Sequence, residues 1–139
     1  MPEKFLPSEL ICAAYLCRLR CLYGIPNVLS DLTEERKAEA TQEAIQSLMS
    51  KNCVSMDMDG NFTVSEMLTG ILHHCSNCDK MLGISVRFED ENDEVRILWK
   101  MKNSYLQGIL KDGSYQFIYL TAKEVQDVLR LYSEYEDRS

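Results

Sequence analysis

The sequence holds little of what enzymes and nucleic-acid binders usually display. It has two histidines, and they are neighbours, His73 and His74. It contains no Gly-x-Ser-x-Gly turn, no phosphate loop and no dinucleotide fingerprint. No nucleophile triad is readable, so the expectation is a non-enzymatic protein with no assignable catalytic, cofactor-binding or metal-binding residue. Cations are scarce and scattered: 15 Lys and Arg stand against 22 Asp and Glu, and no basic run exceeds two residues. A protein that trades counterions with phosphate needs a basic face, so the net charge of −7 argues against a nucleic-acid partner. The acidic balance suits solubility and basic or apolar partner surfaces. Long apolar runs are absent too. The longest near the N-terminus, Leu10 to Leu16, is far too short for a bilayer, and Met1-Pro2-Glu3-Lys4 has no export-signal character. The expected localisation is cytoplasmic, with no membrane partner. No internal repeat or low-complexity linker occurs.

What is present fits one domain spanning residues 1–139. The hydrophobic share is 45%, and a chain of 139 residues can hide enough surface to fold without staples. Six cysteines occur: Cys12, Cys17 and Cys21 in a helical pattern, Cys53 beside a strand-like run, and Cys75 with Cys78 as CxxC. Without the marks of a secreted disulfide framework, they read as free thiols that behave as small buried hydrophobes.

Local patterns predict α+β architecture. Pro7-Ser8-Glu9 opens a first helix with Ser8 as N-cap; Leu10, Ile11, Ala14, Cys17, Cys21 and Leu22 mark its buried stripe, and Gly24-Ile25-Pro26-Asn27 ends it. Thr33 caps a second helix whose apolar positions are Ala38, Ala40, Ala44, Ile45, Leu48 and Met49, closed by Lys51-Asn52. Residues Cys53 to Val64, around Asp59-Gly60, read as a small wing-like hairpin. Ser65 or Thr63 caps a third helix through Met67, Leu68, Ile71 and Leu72, and His73 to Asp79 interrupts it. From Leu82 the apolar period changes to two: Ile84, Val86 and Phe88; then Val95, Ile97 and Trp99; then Tyr105, Gln107 and Ile109; then Tyr115, Phe117 and Tyr119. The polar turns Asp90-Glu91-Asn92-Asp93 and Lys111-Asp112-Gly113-Ser114 make this a four-stranded antiparallel meander. Thr121 and Glu124 form a capping box for a C-terminal helix through Val125, Val128, Leu129 and Tyr132, and the charged tail from Glu134 to Ser139 is expected to fray. That helix can cover one face of the sheet, leaving the other to the N-terminal helices or to another chain.

Four clusters tempt a chemical reading. His73-His74-Cys75-Ser76-Asn77-Cys78 has zinc-ligand types, but a structural site needs four ligands, and Cys53 could complete the set only if the hairpin folds beside this loop. As a redox pair, Cys75 and Cys78 follow a helix where thioredoxin-like sites follow a strand. Asp57-Met58-Asp59-Gly60-Asn61 has glycine at the wrong position for a calcium loop, and a hairpin turn explains it better. Helix, helix, helix and hairpin outline a winged-helix module, yet the helices carry Glu34, Glu35, Glu39, Glu43 and Glu66 where a groove reader needs cations and amides. The sheet aromatics Trp99, Tyr105, Tyr115, Phe117 and Tyr119 read as core and cross-strand pairs, or as part of an aromatic contact face.

From Ala44 to Val128 the chain resembles one half of the EspG-type chaperones of type VII (ESX) secretion. The resembling stretches are the helix and hairpin "AIQSLMSKNCVSMDMDGNFTVSEMLTGIL", the strands "ISVRFEDENDEVRILWKMKNSYLQGILKDGSYQFIYL" and the helix "TAKEVQDVLRLY". The opening "LPSELICAAYLCRLRCLYGIP" suits the family's first helix and its glycine break. The resemblance implies a cytoplasmic adaptor that binds a helical secretion substrate, and it transfers no catalytic or binding residue to a numbered position. Those chaperones have two such halves related by pseudo-symmetry, so two copies of this chain are expected to pair as a homodimer.

Overall fold

The computed structural model describes residues 3–86 and 94–137. The helices are α1 (Pro7–Leu16), α2 (Glu34–Ser50), α3 (Glu66–Ser76) and α4 (Ala122–Asp137). The strands are β1 (Val54–Met56), β2 (Phe62–Val64), β3 (Lys80–Val86), β4 (Glu94–Met101), β5 (Ser104–Lys111) and β6 (Ser114–Leu120). β1 and β2 form a small hairpin between α2 and α3, and β3-β4-β5-β6 is an antiparallel meander. The α+β expectation therefore holds. Phe88, the turn 90–93 and the last two residues lie outside the described residues.

Four boundaries differ from the expectation. Leu6, not Ser8, takes the N-cap of α1, because Pro7 has its φ already set for the first helical position. The Leu6 N–H donates to Glu9 Oε1 at 2.8 Å, half of a capping box. α1 then stops at Leu16, well before Gly24. Arg18 adopts φ 60°, its N–H reaches the Tyr15 carbonyl at 3.0 Å, and the Leu19 N–H reaches the Ala14 carbonyl at 2.9 Å. These are the two bonds of a Schellman ending, made without glycine. Finally, α3 runs through His73, His74 and Cys75, and α4 continues through the charged tail to Asp137. The expected caps Thr33, Ser65 and Thr121 are all in place.

α1 is the central helix. Six consecutive residues, Glu9 to Ala14, are buried, so it is enclosed all round and has no single stripe. One face of the meander packs against this helical half. Ile97, Trp99, Leu106, Tyr115 and Phe117 belong to the same core as Leu10, Leu22, Ile25, Leu48, Leu68 and Leu72. The aromatic reading therefore divides: Trp99, Tyr115 and Phe117 are core, while Tyr105 is half-buried on the opposite face. On that face Leu98 and Gln107 are buried, but Leu82 and Ile118 are exposed. α4 returns beside β6.

Polar contacts at both ends tie the halves together beside the shared core. The Trp99 indole N–H donates to the Tyr23 carbonyl at 2.8 Å, fixing the irregular chain after α1 onto the sheet. Gly108 leaves the space for that ring: a Cβ there would lie 2.7 Å from it. At the other end, Glu9 is buried and accepts from Lys51 Nζ at 3.0 and 2.8 Å. The same ammonium donates to the Lys4 carbonyl at 2.7 Å and sits 5.3 Å from the Phe5 ring centroid. Phe5 in turn exchanges backbone hydrogen bonds with Tyr115 on β6.

Removing one member of a buried ion pair strands the other. Lys51→Met is therefore expected to destabilise the protein by about 2–3 kcal/mol, towards the lower range for such pairs because Lys51 keeps some contact with water. Adding Glu9→Gln to that variant recovers part of the loss. The check is the denaturant midpoint at unchanged m-value.

Candidate functional site

A groove of about 610 Å³ lies between α2 and the β1–β2 hairpin. Two sequence features build it. On α2, the residues at helical spacing Ala38, Thr41, Ile45 and Met49 form one stripe beside the buried stripe of Ala44 and Leu48. On the hairpin, Val54 pairs with Val64 and Met56 with Phe62. Alternation puts all four on one face: the valines anchor the base, and Met56 and Phe62 line the groove. Ser55 and Thr63 take the other face.

The groove exposes large apolar side chains, with Met49 and Phe62 each 38% exposed and Met56 55%. Met58 stands free at the hairpin tip. The wall is fixed from below. Asp57 Oδ1 accepts from the Asp59 and Asn61 N–H groups, both at 2.9 Å, and Gly60 takes φ 83° in the turn. The Ser65 N–H donates to the Cys53 carbonyl at 2.8 Å and closes the hairpin base. The aspartates thus serve a turn, as the glycine spacing requires. Glu34 and Lys37 lie at one end of the groove, 3.9 Å apart.

The cysteine cluster separates. Cys75 is in the core, its thiol pushed far up by desolvation, while Cys78 is half-buried and raised for the same reason. Cys53 lies elsewhere: its Sγ donates to the Lys51 carbonyl at 3.7 Å, and its neighbours include Glu3 and Glu9. It does not join Cys75 and Cys78. His74 is buried, with Nε2 3.2 Å from the Ser104 carbonyl and its ring edge-on to Tyr119. Among the described residues, no group of three or more His, Cys, Asp or Glu is placed to hold a metal ion, and no helix is long and apolar enough to cross a membrane. The hairpin precedes the third helix, so the winged-helix order is not the one found.

No family model matches the chain. No curated protein matches it at a significant level either.

The groove did carry a sequence signal. The apolar positions of α2 fall into two stripes, Ala40-Ala44-Leu48 and Ala38-Ile45-Met49, too wide an arc for one buried face. Met49, Met56, Met58 and Met67 also cluster in one stretch, a composition suited to adaptable contact surfaces.

The thiols give a pH dependence. Folded Cys75 holds its proton above the ordinary thiol value of 9.0, whereas the unfolded chain releases it there. Tyr115 and Tyr119 are raised by burial in the same sense. Above the ordinary thiol value the unfolded state therefore binds fewer protons, and stability falls as pH rises. Chemical denaturation is expected to show little change from these groups below pH 9.0 and a declining midpoint above it. Cys75→Ala should flatten that decline, after correction for its own loss of packing. In native protein, the exposed Cys21 should react first with a thiol reagent, while Cys12, Cys53 and Cys75 wait for unfolding.

Proposed function

We propose that this chain is a non-enzymatic adaptor that holds a protein partner against the α2–hairpin groove. The observation that carries the reading is the groove, with three large apolar side chains, Met49, Met56 and Phe62, left in water. Exposed apolar patches with polar rims mark interaction surfaces. Its lining offers apolar groups and amides, and its two charged members face each other. The resemblance to EspG-type chaperones supports a type VII secretion substrate as the partner and a cytoplasmic place of action.

Co-expression with small helical-hairpin secretion proteins, followed by size-exclusion chromatography and titration, tests this. A carboxylate placed in an apolar contact costs on the order of 2 kcal/mol or more. Met56→Asp and Phe62→Asp, checked for an unchanged fold by circular dichroism, should each weaken the complex at least about tenfold. A complex that survives both substitutions undiminished excludes the groove.

The pairing of two copies rests on the sheet edges. The outer side of β6 is covered at its start by Phe5, whose N–H and carbonyl bond Tyr115 at 2.8 and 2.7 Å. β3 is the other edge, with Met81 47% and Leu82 46% exposed. Among the described residues no strand pairs with its outer side, and an edge with exposed apolar side chains invites pairing, so β3 is the proposed homodimer contact. Leu82→Pro should shift the mass measured by sedimentation equilibrium from dimer to monomer. A wild-type chain that stays monomeric at micromolar concentration refutes the pairing.

A further inference from the structure

We infer that the occupant of the α2–hairpin groove is a basic amphipathic α-helix of about four turns, lying along α2. This rests on the adaptor reading and adds the partner's shape and charge. Three observations carry it.

The first is length. The groove follows α2 from Glu34 to Met49, a rise of about 22 Å, which is the length of a four-turn helix.

The second is the way the hairpin meets the groove. Met56 and Phe62 are a cross-strand pair, so the hairpin offers a face of side chains. Its main-chain groups lie in the plane of the hairpin, some bonded across it, as Asp57 N–H to the Asn61 carbonyl at 2.9 Å and Ser65 N–H to the Cys53 carbonyl at 2.8 Å, and none is aimed along the face that lines the groove. An extended peptide draws its affinity from main-chain bonds to a sheet edge, whereas a helix brings its backbone already satisfied and needs only an apolar surface.

The third is charge. Glu34 lines the groove, and Glu35 and Glu39 follow at helical spacing on the exposed rim of α2. Asp57 and Asp59 sit in the hairpin turn beyond Met56. The single cation in the lining is Lys37, and it already faces Glu34 at 3.9 Å. An apolar floor with an acidic rim selects a helix whose apolar stripe is flanked by Lys or Arg. The chain's own α4 does not suit, because Lys123 and Arg130 are outnumbered by Glu124, Asp127, Glu134, Glu136 and Asp137.

The test uses three fluorescent peptides of about eighteen residues, enough for the turns required. One has a Leu/Met stripe at helical spacing flanked by Lys. The second keeps the stripe and replaces Lys with Glu. The third has the composition of the first with the stripe scrambled. In anisotropy titrations with the full chain, the Lys-flanked peptide should bind at least about tenfold tighter than either other. Its affinity should fall as salt rises. Met56→Asp should remove most of the binding. Glu35→Gln with Glu39→Gln should narrow the gap between the Lys and Glu peptides while leaving the fold unchanged. Equal or tighter binding of the Glu-flanked or scrambled peptide overturns the inference, and so does binding of none of the three. The separate effect of Met56→Asp on the complex with the folded partner still decides the adaptor reading in those cases.

Discussion

The seat of Trp99 against Gly108 governs how the molecule is assembled. A sheet of four strands and a group of three helices have to meet over one core, and the chain between α1 and α2 has no regular structure to guide it. Trp99 solves this with a ring that is fully buried and an N–H that reaches the Tyr23 carbonyl. A buried indole needs such a partner, and a loop carbonyl needs such a donor. Phe117 completes the seat at 5.9 Å between ring centroids. The ring fits only because its cross-strand neighbourhood includes a residue with no side chain. Any Cβ at position 108 meets the Trp99 ring within van der Waals distance. Fixing the loop also fixes α3, since the Tyr23 N–H donates to the Cys75 carbonyl at 3.0 Å. One aromatic side chain thus joins sheet, loop and third helix.

Most of the architecture was legible because its signals are local. The change of apolar period near Leu82 marks where helices give way to strands, and Asp-Gly turns at 59–60 and 112–113 sit where the chain reverses. Thr33, Ser65 and Thr121 cap helices because their side-chain oxygens accept from N–H groups that each helix cannot satisfy itself. The two helix endings show where legibility stops. α2 and α1 end in the same motif, with Asn52 at φ 61° and Arg18 at φ 60° in equivalent places. Asparagine is common in that conformation and was readable. Arginine in it costs about 1 kcal/mol, and no local pattern announces it. The packing of Leu19, Leu22 and Ile25 against the core offsets that cost, and packing is not a local property.

The candidate groove was half legible for a related reason. A list of apolar positions on α2 mixes residues that face the core with residues that face water. Helical spacing separates them, but only the hairpin reveals what the second stripe is for. Val54 and Val64 could be assigned to a hairpin core from sequence. That Met56 and Phe62 would stand opposite Ile45 and Met49 depends on how the hairpin leans, which α1 and α2 decide together.

The two walls of the groove differ in stiffness, and that difference bears on what it accepts. α2 is held at its C-terminal end by the Lys51–Glu9 pair and the Schellman bonds from Asn52 and Cys53 to Met49 and Leu48. The hairpin is fixed at its base by the buried Val54 and the partly buried Val64, while its tip carries Met56, Met58 and Phe62 into solvent. Methionine has three rotatable bonds and a polarisable sulfur, so it fits apolar partners of differing shape with little penalty. For the proposed partner, a helical wall facing a methionine-bearing tip would set direction and length and leave side-chain identities loosely specified. In the proposed adaptor role, selectivity then falls to the rim, where Glu34, Glu35 and Glu39 place charge that would repel an acidic stripe however well its apolar residues fit.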